Sequence, residues 1–167
     1  MPAPQPHCVL FVCTGNTCRS PMAESLFRLR MPAETGWTAE SAGILAPEGA
    51  PASPEAVAAL REVGADASNH RSRPLAAEAV EQADLVVVMT RDHQADLVRR
   101  FPAAAERIRL LTSFEEKGGE RDIGDPVGLP LAGYRKARDE IDHAIADLIL
   151  SLVKPKPIDR NTKGDPA

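Results

Sequence analysis

Nine consecutive residues, Cys13-Thr14-Gly15-Asn16-Thr17-Cys18-Arg19-Ser20-Pro21, hold the densest reactive chemistry in this chain. Five residues separate Cys13 from Arg19. A thiolate is a strong nucleophile, and its pKa falls beside a cation or a helix N-terminus. The arginine fork matches two oxygens of a phosphoryl group. Successive backbone N–H groups in a tight turn cradle an anion. These parts together suit attack of sulfur on phosphorus. The bare Cys-x5-Arg spacing is a weak signal; specificity comes from its context, an apolar run before it, Gly15 inside it and Ser20-Pro21 at its exit. The competing reading of Cys13 as a small buried hydrophobe leaves the polar loop after it unexplained. For Cys8, at the start of the apolar run, packing is the preferred reading.

The surrounding pattern supplies elements to position this loop. Cys8 to Val12 is apolar and β-branched and predicts a buried strand. Met22 to Arg30 predicts a helix, with Ser20 as an N-cap candidate and Pro21 as its first residue. A second strand is expected over Thr38 to Ala42. Ser53-Pro54-Glu55 predicts a capped helix running to Val63 and stopping at Gly64. Pro74 is expected to open a short helix through Gln82. Leu85 to Met89 reads as a strand buried on both faces, Thr90 as the cap of a helix from Arg91 to Arg100, and Arg107 to Leu111 as a fourth strand. Ser113 and Glu116 suggest a capping box. Lys117 to Pro130 is a glycine- and proline-rich loop, long enough to suggest a functional one. Tyr134, Ala137, Ile141, Ile145, Leu148 and Leu152 form one stripe of a helix over Leu131 to Val153. The alternation implies an α/β fold: one domain over residues 1–154, with a four-stranded parallel sheet flanked by helices on both faces. Met1 to Pro6 reads as a loose arm and 155–167 as a disordered tail. Cys13 leaves the carboxyl end of the first strand, where open α/β sheets bind ligands.

Composition narrows the function. The chain has 167 residues, 43% hydrophobic, with a net charge of -4. No basic block marks a nucleic-acid binder, no apolar run reaches membrane-spanning length, and the N-terminus lacks the cationic start of a secretory signal. The three cysteines crowd into residues 8–18, which is not a disulfide framework. A cytoplasmic, reducing setting and a monomer without metal or cofactor are expected.

The loop resembles the signature of the low-molecular-weight protein tyrosine phosphatase family. Asp125-Pro126 resembles that family's general-acid motif, and Ser41-Ala42-Gly43, His70-Arg71-Ser72-Arg73 and Met89-Thr90 also match its pattern. The resemblance spans about Val9 to Leu152 and implies the same four-stranded parallel fold. It implies Cys13 as nucleophile of a phosphocysteine intermediate and Arg19 as the bidentate grip, with the loop from Thr14 to Ser20 as phosphate cradle. It implies Ser20 as hydrogen-bond partner of the thiolate, in competition with a capping role. Asn16, Ser41 and His70 would hold the loop in shape. Asp125 would protonate the leaving group and then activate water; the same loop also offers Asp122, which no proline follows. The resemblance makes a reversible Cys13–Cys18 disulfide plausible, against a packed thiol with no redox role. His93 reads as an ordinary histidine.

The substrate implied is a phosphorylated protein. Tyrosine phosphatases of the family place aromatics after the Asp-Pro pair and after the second strand. Here those places read Val127-Gly128 and Leu45-Ala46-Pro47, and the chain is 4% aromatic. Thr17 stands where those enzymes carry isoleucine or leucine, and threonine there resembles the protein arginine phosphatase branch. A hydroxyl with a small apolar face suits a planar guanidinium, so phosphoarginine is the expected substrate class, with phosphotyrosine as the alternative. An arsenate reductase on this fold needs further downstream cysteines, and none follows Cys18. A phosphate-binding module without catalysis would not need nucleophile, arginine and acid together.

Overall fold

Val9, Leu10, Phe11 and Val12 are wholly shielded from solvent, and they form the centre of β1 (His7–Cys13). The computed structural model describes residues 6–117 and 119–154; the expected arm lies almost entirely, and the expected tail wholly, outside the described residues. β1 is flanked in parallel by β2 (Trp37–Gly43) and β3 (Leu85–Val88), and β3 pairs in parallel with β4 (Ile108–Leu110), giving the order β2-β1-β3-β4. A central strand of a sheet covered by helices on both sides is apolar on both faces. The chain crosses from β1 to β2 on one side and from β2 back to β3 on the other, so the loop after β1 opens at the switch in strand order.

The helices are α1 (Arg19–Arg30), α2 (Pro54–Arg61), α3 (Ala77–Gln82), α4 (Arg91–Arg100) and α5 (Leu131–Val153). One face of the sheet packs Phe11 and Val87 against Met22, Leu26 and Phe27 of α1, Leu60 of α2 and Ile141, Ile145 and Leu148 of α5. The other packs Leu10, Val12, Val86 and Val88 against Val80 of α3 and Leu97 of α4. Period-2 alternation along β1 thus feeds two cores, one for each layer of helices.

The expected elements are present, with local corrections. α1 starts at Arg19, two residues before the expected first residue Pro21, and Cys18 occupies the cap position with no side-chain cap. Ser20 is therefore inside the helix, because its hydroxyl is drawn to Cys13 and Asn16 instead. α2 is capped by Ser53 as predicted and ends at Arg61; Gly64 turns left-handed at φ 85° while the Ala65 N–H closes on the Leu60 carbonyl. Pro74 does not open a helix. It forms a parallel bridge to Gly43, with the Gly43 N–H donating to Arg73 and the Leu75 N–H donating to Gly43, and α3 begins only at Ala77. The Ser113–Glu116 capping box is absent. Leu111–Phe114 is a 3-10 turn, and the Ser113 hydroxyl donates back to the Leu110 carbonyl at 2.6 Å. Among the described residues no helix is long and apolar enough to cross a membrane.

Candidate active site

The loop Thr14–Cys18 leaves β1 and runs straight into α1. Asn16 adopts φ 55°, a left-handed conformation that an L-residue holds only when its surroundings over-determine it. Every polar group of Asn16 is engaged. Its N–H points at Cys13 Sγ at 3.3 Å, and its amide nitrogen donates to Ser20 Oγ at 2.8 Å and Ser41 Oγ at 3.0 Å. Its amide oxygen accepts from the Arg73 N–H at 3.0 Å, and its carbonyl lies 2.7 Å from His70 Nε2. A carbonyl only accepts, so the His70 proton is on Nε2. Glu24 of α1 completes this support: Oε2 accepts from Ser41 Oγ at 2.7 Å and lies 3.7 Å from His70 Nδ1. Four segments of chain thereby hold one strained residue, which curls the loop around Cys13.

Cys13 is 2% exposed, and its Sγ lies 2.9 Å from Ser20 Oγ. The serine hydroxyl and the Asn16 N–H are aimed at the sulfur, and the sulfur lies ahead of the N-terminus of α1. Each of these stabilises negative charge on it. Arg19 is 4% exposed. Its Nη1 donates to the Ile123 carbonyl at 2.9 Å, and its Nη2 lies 3.5 Å from Asp125 Oδ2. The carboxylate of Asp125 is half exposed and accepts from the Val127 N–H at 3.1 Å. Its neighbour Asp122 is committed elsewhere: Oδ1 accepts from the Arg91 N–H at 2.9 Å, which holds its carboxyl below the usual range. The structure thus separates the two candidate acids, one facing the arginine of the loop and one anchoring α4.

Thr14, Gly15 and Thr17 are half-buried at the rim. The Thr17 carbonyl accepts from the Ser53 N–H at 3.0 Å. Cys18 is buried behind the loop, with Sγ 3.5 Å from Ser53 Oγ and 3.6 Å from the Tyr134 hydroxyl. Burial and this thiol push the Tyr134 hydroxyl up to about 12. All three cysteines are free thiols. Leu45, Val127 and Leu129 are exposed large aliphatics, on the two segments that adjoin the rim.

The sequence matches the profile of the family described as low molecular weight phosphotyrosine protein phosphatase over residues 8–160. The chain belongs to this family. A protein-arginine-phosphatase of Geobacillus stearothermophilus is 44% identical over 88% of this chain and 97% of its own length. The solved structure of the YwlE arginine phosphatase from the same organism superposes with a TM-score of 0.81 at 43% identity, covering 88% of this chain and 93% of that one. A low molecular weight protein tyrosine phosphatase from T. tengcongensis superposes equally well, TM-score 0.81 at 46% identity, over 87% of this chain and 99% of that one.

As a member of this phosphatase family, the chain brings together all the residues singled out in its sequence, Cys13, Arg19, Asp125, Ser20, Asn16, Ser41 and His70, at one end of the sheet. Three further participants are given no role by the sequence pattern, although Arg73 lies within its His70-Arg71-Ser72-Arg73 stretch. Glu24 has the faintest of signals, four residues after Ser20 on the same helix face. Arg73 contributes its backbone N–H to Asn16 and its Nε to the Ser41 carbonyl at 2.8 Å. His93, ordinary by its sequence, is 8% exposed, and its Nε2 lies 2.9 Å from Thr14 Oγ1. Burial and the nearby Arg19 charge lower its pKa to about 4, so the ring is neutral at neutral pH.

Gly43 is the tightest point behind the loop. A Cβ there would stand 2.6 Å from the Thr14 carbonyl oxygen, 2.7 Å from Ala46 Cβ and 2.9 Å from the Asn16 nitrogen. Gly43→Ala therefore forces the loop outward. We expect a loss of about 1–3 kcal/mol in stability and roughly a hundredfold in kcat/KM, measured by thermal melting and by p-nitrophenyl phosphate hydrolysis. Wild-type turnover in the variant would show that the loop tolerates displacement.

Proposed function

We propose that this protein is a cysteine-dependent protein phosphatase that hydrolyses phosphoarginine. Sulfur of Cys13 attacks phosphorus in line with the leaving group; the P–S bond forms as the P–N bond to the guanidino nitrogen breaks. Arg19 and the loop amides take the charge of the transferring oxygens. Asp125 hands its proton to the departing nitrogen, because a guanidine is far too basic to leave as an anion. Water then attacks the phosphocysteine, Asp125 takes its proton, the thiolate departs and inorganic phosphate is released. Ser20 steadies the thiolate at both stages. The mechanism needs Cys13 as a free thiol, which a reducing compartment such as the cytoplasm provides.

One observation carries the choice of arginine: the loop presents the half-buried Thr17 at its rim, and the segments after β2 and after Asp125 expose aliphatic Leu45, Val127 and Leu129 where a phenol ring would want aromatic walls. The relative named as an arginine phosphatase supports the same reading. The relative named as a tyrosine phosphatase keeps phosphotyrosine as the second one. The test compares kcat/KM on phosphoarginine and phosphotyrosine peptides. We expect the wild type to favour phosphoarginine by at least about tenfold, and Thr17→Ile to move the ratio about tenfold toward phosphotyrosine. A ratio unmoved by Thr17→Ile removes Thr17 from the specificity argument. A wild type that prefers phosphotyrosine overturns the arginine assignment.

A further inference from the structure

The first turn of α4 is a mount for the acid loop. The Met89 carbonyl accepts from the Ile123 N–H at 2.9 Å, and the Arg91 N–H donates to Asp122 at 2.9 Å; Asp125 follows three residues later. The nucleophile loop is stitched to the opposite flank by backbone, Ile44 N–H to the Cys13 carbonyl at 3.0 Å and Leu45 N–H to the Thr14 carbonyl at 2.9 Å. Two side-chain bonds tie it to the α4 flank: Arg19 Nη1 donates to the Ile123 carbonyl of the acid loop at 2.9 Å, and Thr14 Oγ1 lies 2.9 Å from His93 Nε2 of α4 itself. The His93 N–H in turn donates to the capping Thr90 Oγ1 at 3.1 Å.

His93 is a costly choice for packing. The ring is buried, and Nδ1 has no hydrogen-bond partner among the described residues. An apolar side chain of similar size would avoid that penalty. Of the two neutral tautomers, the one with hydrogen on Nδ1 would bury an unpaired N–H. The other leaves only a bare acceptor, the less unfavourable orphan. The Nε2–H therefore donates to Thr14. The charges that bear on the ring are Arg19 from the nucleophile loop, Asp92 from α4, and Asp122 and Asp125 from the acid loop; a neutral ring adds no second cation beside Arg19.

We propose that His93 is a positioning residue: by holding the Thr14 hydroxyl it locks the nucleophile loop to the same turn of α4 that carries the acid loop, so that Cys13 and Asp125 keep their separation during phosphoryl transfer. This rests on the phosphatase reading above. That reading is tested separately by whether the wild type shows Cys13-dependent turnover.

The experiment measures kcat and KM for wild type, His93→Leu, His93→Gln, Thr14→Val and the Leu/Val double variant. The substrates are the phosphopeptide that the wild type prefers and p-nitrophenyl phosphate. We expect His93→Leu to melt at or above the wild-type temperature, since the orphan atom is gone. Its kcat should fall on the order of tenfold on the phosphopeptide, with KM within about twofold. The loss should be smaller on p-nitrophenyl phosphate, whose leaving group needs little proton donation. Thr14→Val should reproduce this pattern and the double variant should add nothing to it. His93→Gln, whose amide nitrogen takes the place of Nε2, should restore most of the activity. Wild-type kcat in His93→Leu, losses that multiply in the double variant, or equal losses on both substrates would overturn the inference. Should His93→Leu fail to fold, Thr14→Val and His93→Gln decide it: a loss in the first with retention in the second supports the bond, and any other pattern overturns it. A wild type without Cys13-dependent turnover would overturn the phosphatase reading and this inference with it.

Discussion

Cys13→Ser should abolish turnover while leaving the fold intact. The sulfur is buried at the carboxyl end of β1, with the Ser20 hydroxyl at 2.9 Å and the Asn16 N–H at 3.3 Å as its polar neighbours. Those groups can donate hydrogen bonds to a thiolate. A serine hydroxyl would have to lose a proton of much higher pKa, and neither the Ser20 hydroxyl nor an N–H is a base. The loss in kcat should be on the order of 10⁴ or more. The loop's shape rests on Asn16 and its partners Ser20, Ser41, Arg73 and His70, none of which needs the sulfur. The replacement oxygen keeps the hydrogen-bond partners, so a stability change of about 1 kcal/mol is expected, or about 2–4 °C in a protein of this size. Assays on phosphopeptides and p-nitrophenyl phosphate, with circular dichroism and melting on the same preparation, decide the matter. Substantial turnover by the folded variant would refute sulfur as nucleophile.

Asp125→Asn is the second large effect, and it should depend on the leaving group. Asp125 faces Arg19 from a half-exposed loop position, 3.5 Å from Nη2. As proton donor to a guanidine or phenol it is worth about 10²–10⁴ in kcat. A p-nitrophenolate leaves with little help, so the variant should lose far less on that substrate. Arg19 keeps its bond to the Ile123 carbonyl in the variant and should stay in place. Asp122→Asn is the matched control. The amide oxygen still accepts from Arg91, and turnover should stay within about threefold of wild type. Equal losses at the two positions, or a loss from Asp125→Asn independent of the leaving group, would remove Asp125 from the role of acid.

Elements with a long or strongly punctuated pattern are legible in the sequence itself. α5 spans Leu131–Val153 as its stripe predicts, and α4 runs from its Thr90 cap to Arg100. Sequence and fold part company where a tertiary contact outbids a local signal. Ser20 has the sequence of a cap, yet its hydroxyl belongs to Cys13 and Asn16. Pro74 has the sequence of a helix start, yet its segment is claimed by the exposed edge of Gly43. Ser113 and Glu116 have the spacing of a capping box, yet the chain there closes a single 3-10 turn.

The reacting parts are legible in the same way, because they are local. A thiol, the amides that follow it and an arginine lie within one turn between a strand and a helix, and short-range chemistry is written in consecutive residues. The supports and the acid are not local. The strand order β2-β1-β3-β4 brings Ser41, His70 and Arg73 to one flank of the Cys13 loop and Met89, His93 and Asp125 to the other. Residues that are 25 to 104 positions apart therefore become hydrogen-bond partners. Pro126 marks Asp125 rather than Asp122 as the acid in the sequence, but only the packed chain carries it to Arg19, and nothing in the sequence says that His93 reaches Thr14. Those assignments follow from where the parallel crossovers return the chain, which is a property of the packed sheet rather than of any segment.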